Sequence, residues 1–164
     1  SLEEVQVEKC GAVEVIFDII DDDNIETKKT KGIIIVSRLK KLTLDELPKL
    51  KCVWNKNPQG IVRFAYLQRV IVLQCRHLAT LFPSSLARNL VKLKTLDLVK
   101  LMTLEMQCCD KMVEIVGKED EITPMFKFPR LSWLLLYTMT LLSYFYSGKH
   151  HLECPIRNLS PVFG

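Results

Sequence analysis

LQRVIVLQCRHLATLF, Leu67 to Phe82, carries apolar side chains at Leu67, Val70, Val72, Cys75, Leu78 and Leu81. Counted from Leu67, these are offsets 0, 3, 5, 8, 11 and 14. An amphipathic helix repeats every 3.6 residues and a half-buried strand every two. The stretch obeys neither rule from end to end. Only its V-x-V centre alternates as a strand does, with offsets 3 and 5 pointing inward and offsets 2, 4 and 6 outward. The later apolar positions fit a segment that leaves the strand, turns, and packs back on the same core.

The same spacing recurs along the chain. It starts at Leu2, Leu39, Leu67, Leu101 and Leu131, with a sixth start at Ile156 followed by Leu159. The starts are 37, 28, 34, 30 and 25 residues apart, so the internal spacing is fixed while the connections vary. This is the leucine-rich-repeat pattern, L-x-x-L-x-L-x-x-[N/C]-x-L. One such repeat cannot bury its own leucines, and neighbours must stack to do so. The predicted class is α/β: a leucine-rich-repeat solenoid with a parallel sheet on its concave face and loops or short helices on its convex face. Residues 1–164 read as one domain, an incomplete array cut from a longer chain.

One segment is irregular. LKTLDLVKLMTLEMQC, Leu93 to Cys108, holds two overlapping starts, Leu93 and Leu101. The strand pair is either Leu96 with Leu98 or Leu104 with Met106. The second choice also aligns Cys109, and it leaves the extra residues as a local duplication that disturbs the register.

Six cysteines are present and none forms a C-x-x-C pair. Cys10, Cys75 and Cys109 share offset 8, which Leu47 and Met139 fill in the other repeats. A column of small buried side chains where strand meets loop explains them better than a disulfide framework or a metal site.

Apolar residues make up 48% and charged residues 26%, a globular balance. The net charge of +4 comes from scattered Lys and Arg, not the clustered stripe of a nucleic-acid groove. The longest apolar run, Leu131 to Tyr146, is short of a bilayer span and is broken by Ser and Thr. The N-terminus shows no signal peptide.

No catalytic or phosphate-binding motif is present: no G-x-x-x-x-G-K-[ST], G-x-G-x-x-G or G-x-S-x-G. His150, His151 and Cys154 lie close in sequence but lack a fourth zinc ligand. The Asp21, Asp22, Asp23 run in the longest insertion, Phe17 to Gly32, lacks calcium-loop spacing and reads as solvated. PSSLARNLVK, Pro83 to Lys92, begins with Ser caps and continues as a short helix. Trp54 to Gly60 and Gly117 to Pro124 read as turn-rich loops. The expectation is a binding protein, not an enzyme.

LPKLKCVWNKNPQG, LFPSSLARNLVKL, CCDKMVEIVGKEDE, FPRLSWLLL and GKHHLECP carry more than the generic pattern. They resemble plant intracellular disease-resistance proteins, the coiled-coil, nucleotide-binding, leucine-rich-repeat immune receptors, especially the expanded legume-type group. The resemblance runs from Leu2 to about Pro155. It implies a cytoplasmic module that senses pathogen effectors or altered host proteins and restrains an upstream nucleotide-binding domain. ADP or ATP would belong to that upstream domain, and this chain would hold no cofactor. The duplication near Leu93 and the ending IRNLSPVFG depart from the family's phrasing, as a non-functional receptor fragment would. The substrate-recognition repeats of a ubiquitin-ligase adaptor are the alternative binding role.

A protein partner would meet the outward strand residues. The rows beginning at Glu4 and Lys41 are charged, whereas Arg69, Ile71, Leu73 and Trp133, Leu135, Tyr137 are largely apolar. These six are the candidate protein-binding residues. Exposed, they mark an interaction patch; covered by another part of the protein, they are a more deeply buried strand.

Overall fold

A computed structural model describes residues 2–17, 38–54, 66–82, 95–97, 100–117, 125–127, 129–146 and 152–153. The expected strands form at offsets 2 to 6 of each repeat: β1 (Glu4–Glu8), β3 (Lys41–Asp45), β5 (Arg69–Leu73), β7 (Thr103–Gln107) and β10 (Trp133–Tyr137). They build one parallel sheet in the order β1-β3-β5-β7-β10. The intervening strands are β2 (Val15–Phe17), β4 (Cys52–Trp54), β6 (Thr95–Asp97), β8 (Glu114–Val116), β9 (Met125–Lys127), β11 (Tyr144–Tyr146) and β12 (Leu152–Glu153). Among the described residues there is no helix. The helix expected over Pro83 to Lys92 and the start at Ile156 lie outside them.

The pairing keeps every repeat in phase. Val5, Leu42, Val70, Leu104 and Leu134 are successive cross-strand partners, and so are Val7, Leu44, Val72, Met106 and Leu136. These two apolar columns are the centre of the core. In the repeats starting at Leu39, Leu67 and Leu101, each residue at offsets 0, 3, 5, 8, 11 and 14 is buried. In the first repeat Val5, Val7, Cys10, Val13 and Ile16 are only partly buried. There β1 has a sheet neighbour on one side only among the described residues.

The uneven spacing now has a physical cause. From offset 3 to offset 5 the strand alternates, and offset 7 would be the next inward position. That residue is left-handed in every repeat: Lys9 (φ 53), Glu46 (φ 50), Gln74 (φ 52), Cys108 (φ 52) and Thr138 (φ 51). The reversal moves the inward direction to offset 8. The backbone N–H of each of the first four donates to the last strand carbonyl of the next repeat. These bonds run from Lys9 to Asp45, Glu46 to Leu73, Gln74 to Gln107 and Cys108 to Tyr137, at 3.0, 3.1, 2.9 and 3.1 Å. Each such bond offsets part of the cost of a non-glycine residue at positive φ, about 1–2 kcal/mol. From offset 8 to offset 11 the chain makes one tight turn. The N–H at offset 11 returns to the carbonyl at offset 8, as from Leu78 to Cys75 at 3.1 Å and Met112 to Cys109 at 3.1 Å.

Further ladders form beyond that turn. β2 pairs β4, β8 pairs β11, and the third repeat joins through a parallel bridge between Phe82 and Val116. Phe17 and Trp54 are partners there and stack with ring centroids 4.2 Å apart and planes 9° from parallel. Trp54 therefore ends a strand and is buried, not part of the loop expected from it; the rest of that expected loop, 55–60, lies outside the described residues. Trp54, Phe82 and Val116 add a buried offset, 15, to the six read from the sequence.

The overlapping starts near Leu93 both form strands. Leu104 and Met106 take the main-sheet positions, paired with Val70 and Val72, so the register is undisturbed. Leu96 lies in β6, the edge of a separate parallel sheet ordered β12-β9-β6. Of the extra residues, Thr95–Asp97 form this separate strand.

The ion pairs follow the stacking. Glu3 meets Lys40 at 2.8 Å, Glu4 meets Lys41 at 3.8 Å, Lys9 meets Glu46 at 4.0 Å, and Glu14 meets Lys51 at 2.7 Å. Arg76 and Asp110 meet at 3.7 Å. Each joins equal offsets of adjacent repeats. Hydrogen bonds from Lys40 and Lys51, reinforced by their charge, hold the Glu3 and Glu14 carboxyls below their ordinary range. All these side chains are exposed enough that the pairs set register more than they add stability.

Two substitutions separate these sources of stability. Leu104→Ala removes a fully buried side chain and should cost about 2–5 kcal/mol in urea unfolding, whereas Val5→Ala should cost clearly less. Gln74→Gly should be neutral or slightly stabilising. Gln74→Val, β-branched at positive φ, should cost about 1–2 kcal/mol.

Candidate protein-recognition surface

The outward residues of the main sheet form three columns across its strands. Offset 2 runs Glu4, Lys41, Arg69, Thr103, Trp133; offset 4 runs Gln6, Thr43, Ile71, Glu105, Leu135; offset 6 runs Glu8, Asp45, Leu73, Gln107, Tyr137. All six candidate residues therefore lie on one face. They do not make one patch. Arg69, Ile71 and Leu73 stand on the central strand β5 and Trp133, Leu135 and Tyr137 on β10, with β7 between them. At a strand spacing of about 4.8 Å, the two apolar rows are about 10 Å apart.

The row between is polar and ordered by its own contacts. Gln107 Nε2 donates to Glu105 Oε1 at 2.8 Å. On β1 the same pairing runs the other way along the strand, from Gln6 Nε2 to Glu8 Oε1 at 2.6 Å. Trp133 and Tyr137 are 58% and 48% exposed, so both rings offer contact area, while Ile71, Leu73 and Leu135 are half-buried between neighbours. Chemically the face offers two apolar strips flanking a carboxylate and an amide. That suits a protein surface better than a small molecule.

Strand alternation alone missed a second group of residues. Tyr66 and Lys100 precede their repeats by one residue and meet across them, with Lys100 Nζ 4.1 Å from the Tyr66 ring centroid. Met102, at offset 1 and two residues after Lys100, is 48% exposed. The signal that finds them is the repeat itself, aligned one residue before its first leucine.

The cysteine column is structural. Cys75 and Cys109 are fully buried and Cys10 is half-buried. Each thiol lies near the carbonyl of the last strand residue: Cys10 at 3.2 Å from Glu8, Cys75 at 3.4 Å from Leu73, Cys109 at 3.5 Å from Gln107. Burial pushes the Cys75 thiol up to about 11 and the Cys109 thiol up to about 12. Neither is a nucleophile at neutral pH. Asp21 to Asp23, His150, His151 and Cys154 lie outside the described residues. Among the described residues, no helix is long and apolar enough to cross a membrane.

A family model described as plant disease resistance protein RPS2-like, leucine-rich repeats, matches residues 1–110. No curated protein and no solved structure matches the chain.

The thiols give a pH test with a definite sign. Folding raises both values above the ordinary 9.0, so the folded protein holds these protons more tightly than the unfolded chain. Their contribution is full below about pH 9 and is lost as pH rises through about 11 and about 12. Urea midpoints measured from pH 8 to 11 should fall less steeply for the Cys75→Ala, Cys109→Ala double variant than for the native sequence. Iodoacetamide at pH 8 should spare Cys75 and Cys109 until denaturant is added.

Proposed function

Since the chain belongs to the plant disease resistance protein RPS2-like leucine-rich repeats, we propose that it is the protein-recognition module of a plant immune receptor. In this reading it is a solenoid, with the main sheet on its concave face and short helices among its convex connections. It senses a pathogen effector or a host protein altered by one. It also restrains an upstream nucleotide-binding domain in a cytoplasmic receptor of the legume-type group. The reading assigns this chain no catalytic step and no cofactor; ADP or ATP sits in the upstream domain.

The observation that supports it best is the contrast between the two faces of the main sheet. The inward columns are apolar in every strand, while the outward columns change chemistry from strand to strand, from Glu4 and Lys41 to Trp133 in one column alone. A constant core beneath a varied, exposed face suits recognition of other proteins.

The test uses the full-length receptor expressed transiently in leaf tissue, read by ion leakage with and without its effector. Paired Ile71→Asp, Leu73→Asp and paired Trp133→Ala, Tyr137→Ala variants should either lose the triggered response or fire without a trigger. If both accumulate normally and respond as the native receptor does, the face is not where recognition occurs.

A further inference from the structure

We propose that the rim of the main sheet at the N-terminal ends of β5, β7 and β10 docks an extended acidic segment of a partner protein that carries an apolar anchor side chain. The proposal rests on the recognition reading above and names the partner's chemistry.

Six residues define the rim: Tyr66, Arg69, Lys100, Met102, Arg130 and Trp133. Their proximity follows from the pairing. Arg69, Thr103 and Trp133 are successive cross-strand partners. Met102 N–H donates to Gln68 O at 2.8 Å and Ser132 N–H to Met102 O at 3.1 Å, which aligns the residues one step earlier. Lys100 lies on the Tyr66 ring at 4.1 Å, which aligns the residues before the first leucine. Arg130 precedes Leu131 at that same position.

Two independent features converge here. The first is charge. The ion pairs elsewhere neutralise Lys9, Lys40, Lys41, Lys51 and Arg76. Among the described residues, Arg69, Lys100 and Arg130 have no carboxylate within ion-pair distance; Arg38, Lys49 and Lys111 are likewise without an ion pair, so it is the grouping of these three cations on adjacent strands that marks the rim. The second is exposed apolar surface: Tyr66, Met102 and Trp133 are 45%, 48% and 58% exposed. Aromatic side chains beside unneutralised cations are the usual composition of binding anchors, and a one-sign rim steers an oppositely charged partner.

Size and chemistry favour a peptide. Three strands span about 10 Å, which about three residues of extended chain cross. An extended segment with acidic and apolar side chains two residues apart turns both toward the rim, setting carboxylates against the cations and an apolar group on Met102 and Trp133. A nucleic-acid strand fits less well. It presents a phosphate at every step, whereas the rim interrupts its cations with Met102 and places Glu105 three residues after it, in β7.

The experiment measures fluorescence anisotropy of a short fluorescein-labelled peptide in which Glu and Leu take turns at every second position with Ser between them, so that both face one side when extended, titrated with the full chain. The Lys-Leu counterpart and a single-stranded DNA oligonucleotide serve as comparisons, with circular dichroism confirming that each variant is folded. The acidic peptide should bind and should weaken with salt. Paired Lys100→Glu, Arg130→Glu should weaken it about tenfold and should transfer preference to the Lys-Leu peptide. Trp133→Ala should weaken it without altering the salt dependence. The proposal is overturned if the acidic peptide binds no better than its Lys-Leu counterpart, or if the oligonucleotide binds more tightly. It is also overturned if paired Ile71→Asp, Leu73→Asp abolishes peptide binding while the charge reversal does not. That last result leaves recognition on the strand face standing, which the leaf assay tests separately.

Discussion

A five-residue parallel strand with one apolar face cannot complete its own hydrogen bonds or bury its own leucines. Both needs are met by the same neighbour, and this coupling governs the rest of the chain. Once Val70 and Val72 lie against Leu104 and Met106, their peptide groups are also in ladder register. The left-handed residue that follows each of the first four main strands is tied to the same neighbour, because its N–H reaches the next repeat's last strand carbonyl. Side-chain burial, strand pairing and backbone reversal therefore stand or fall together.

Much of this was legible because burial leaves a trace in residue type. The six offsets read from Leu67 to Leu81 are buried in the three central repeats, and the strand boundaries follow from alternation around them. The left-handed turn was not legible. Lys9, Glu46, Gln74, Cys108 and Thr138 share no side-chain chemistry, and none is the Gly or Asn that ordinarily marks positive φ. Here a hydrogen bond to the neighbouring repeat selects the conformation, and the residue type does not. Trp54 was assigned to a loop for a similar reason: a three-residue strand beside turn-forming residues has too little alternation to show. Near Leu93 the sequence offered two strands for one place, and the fold uses both in different sheets.

The outward surface was legible by position and not by grouping. Alternation identified which residues leave the core, but only the strand order shows that β7 divides the two apolar rows. The basic rim illustrates the same limit. Arg69, Lys100 and Arg130 lie some thirty residues apart and look scattered along the chain. Stacking converts that period into adjacency, so a charge pattern in a repeat protein has to be read across repeats before it is read along the sequence.

The equal-offset ion pairs carry a consequence for how such an array changes in length. Glu3, Glu4, Lys9 and Glu14 face Lys40, Lys41, Glu46 and Lys51, so the first two repeats are inverse in charge at four places. Tandem copying of the first repeat would set each of these residues against its own duplicate, with like charge meeting like at all four positions. Copying the first two as a block would preserve the internal pairs. The unit that can be multiplied without electrostatic conflict is thus the pair, and gene duplications that respect that boundary are the ones whose products stack without repulsion.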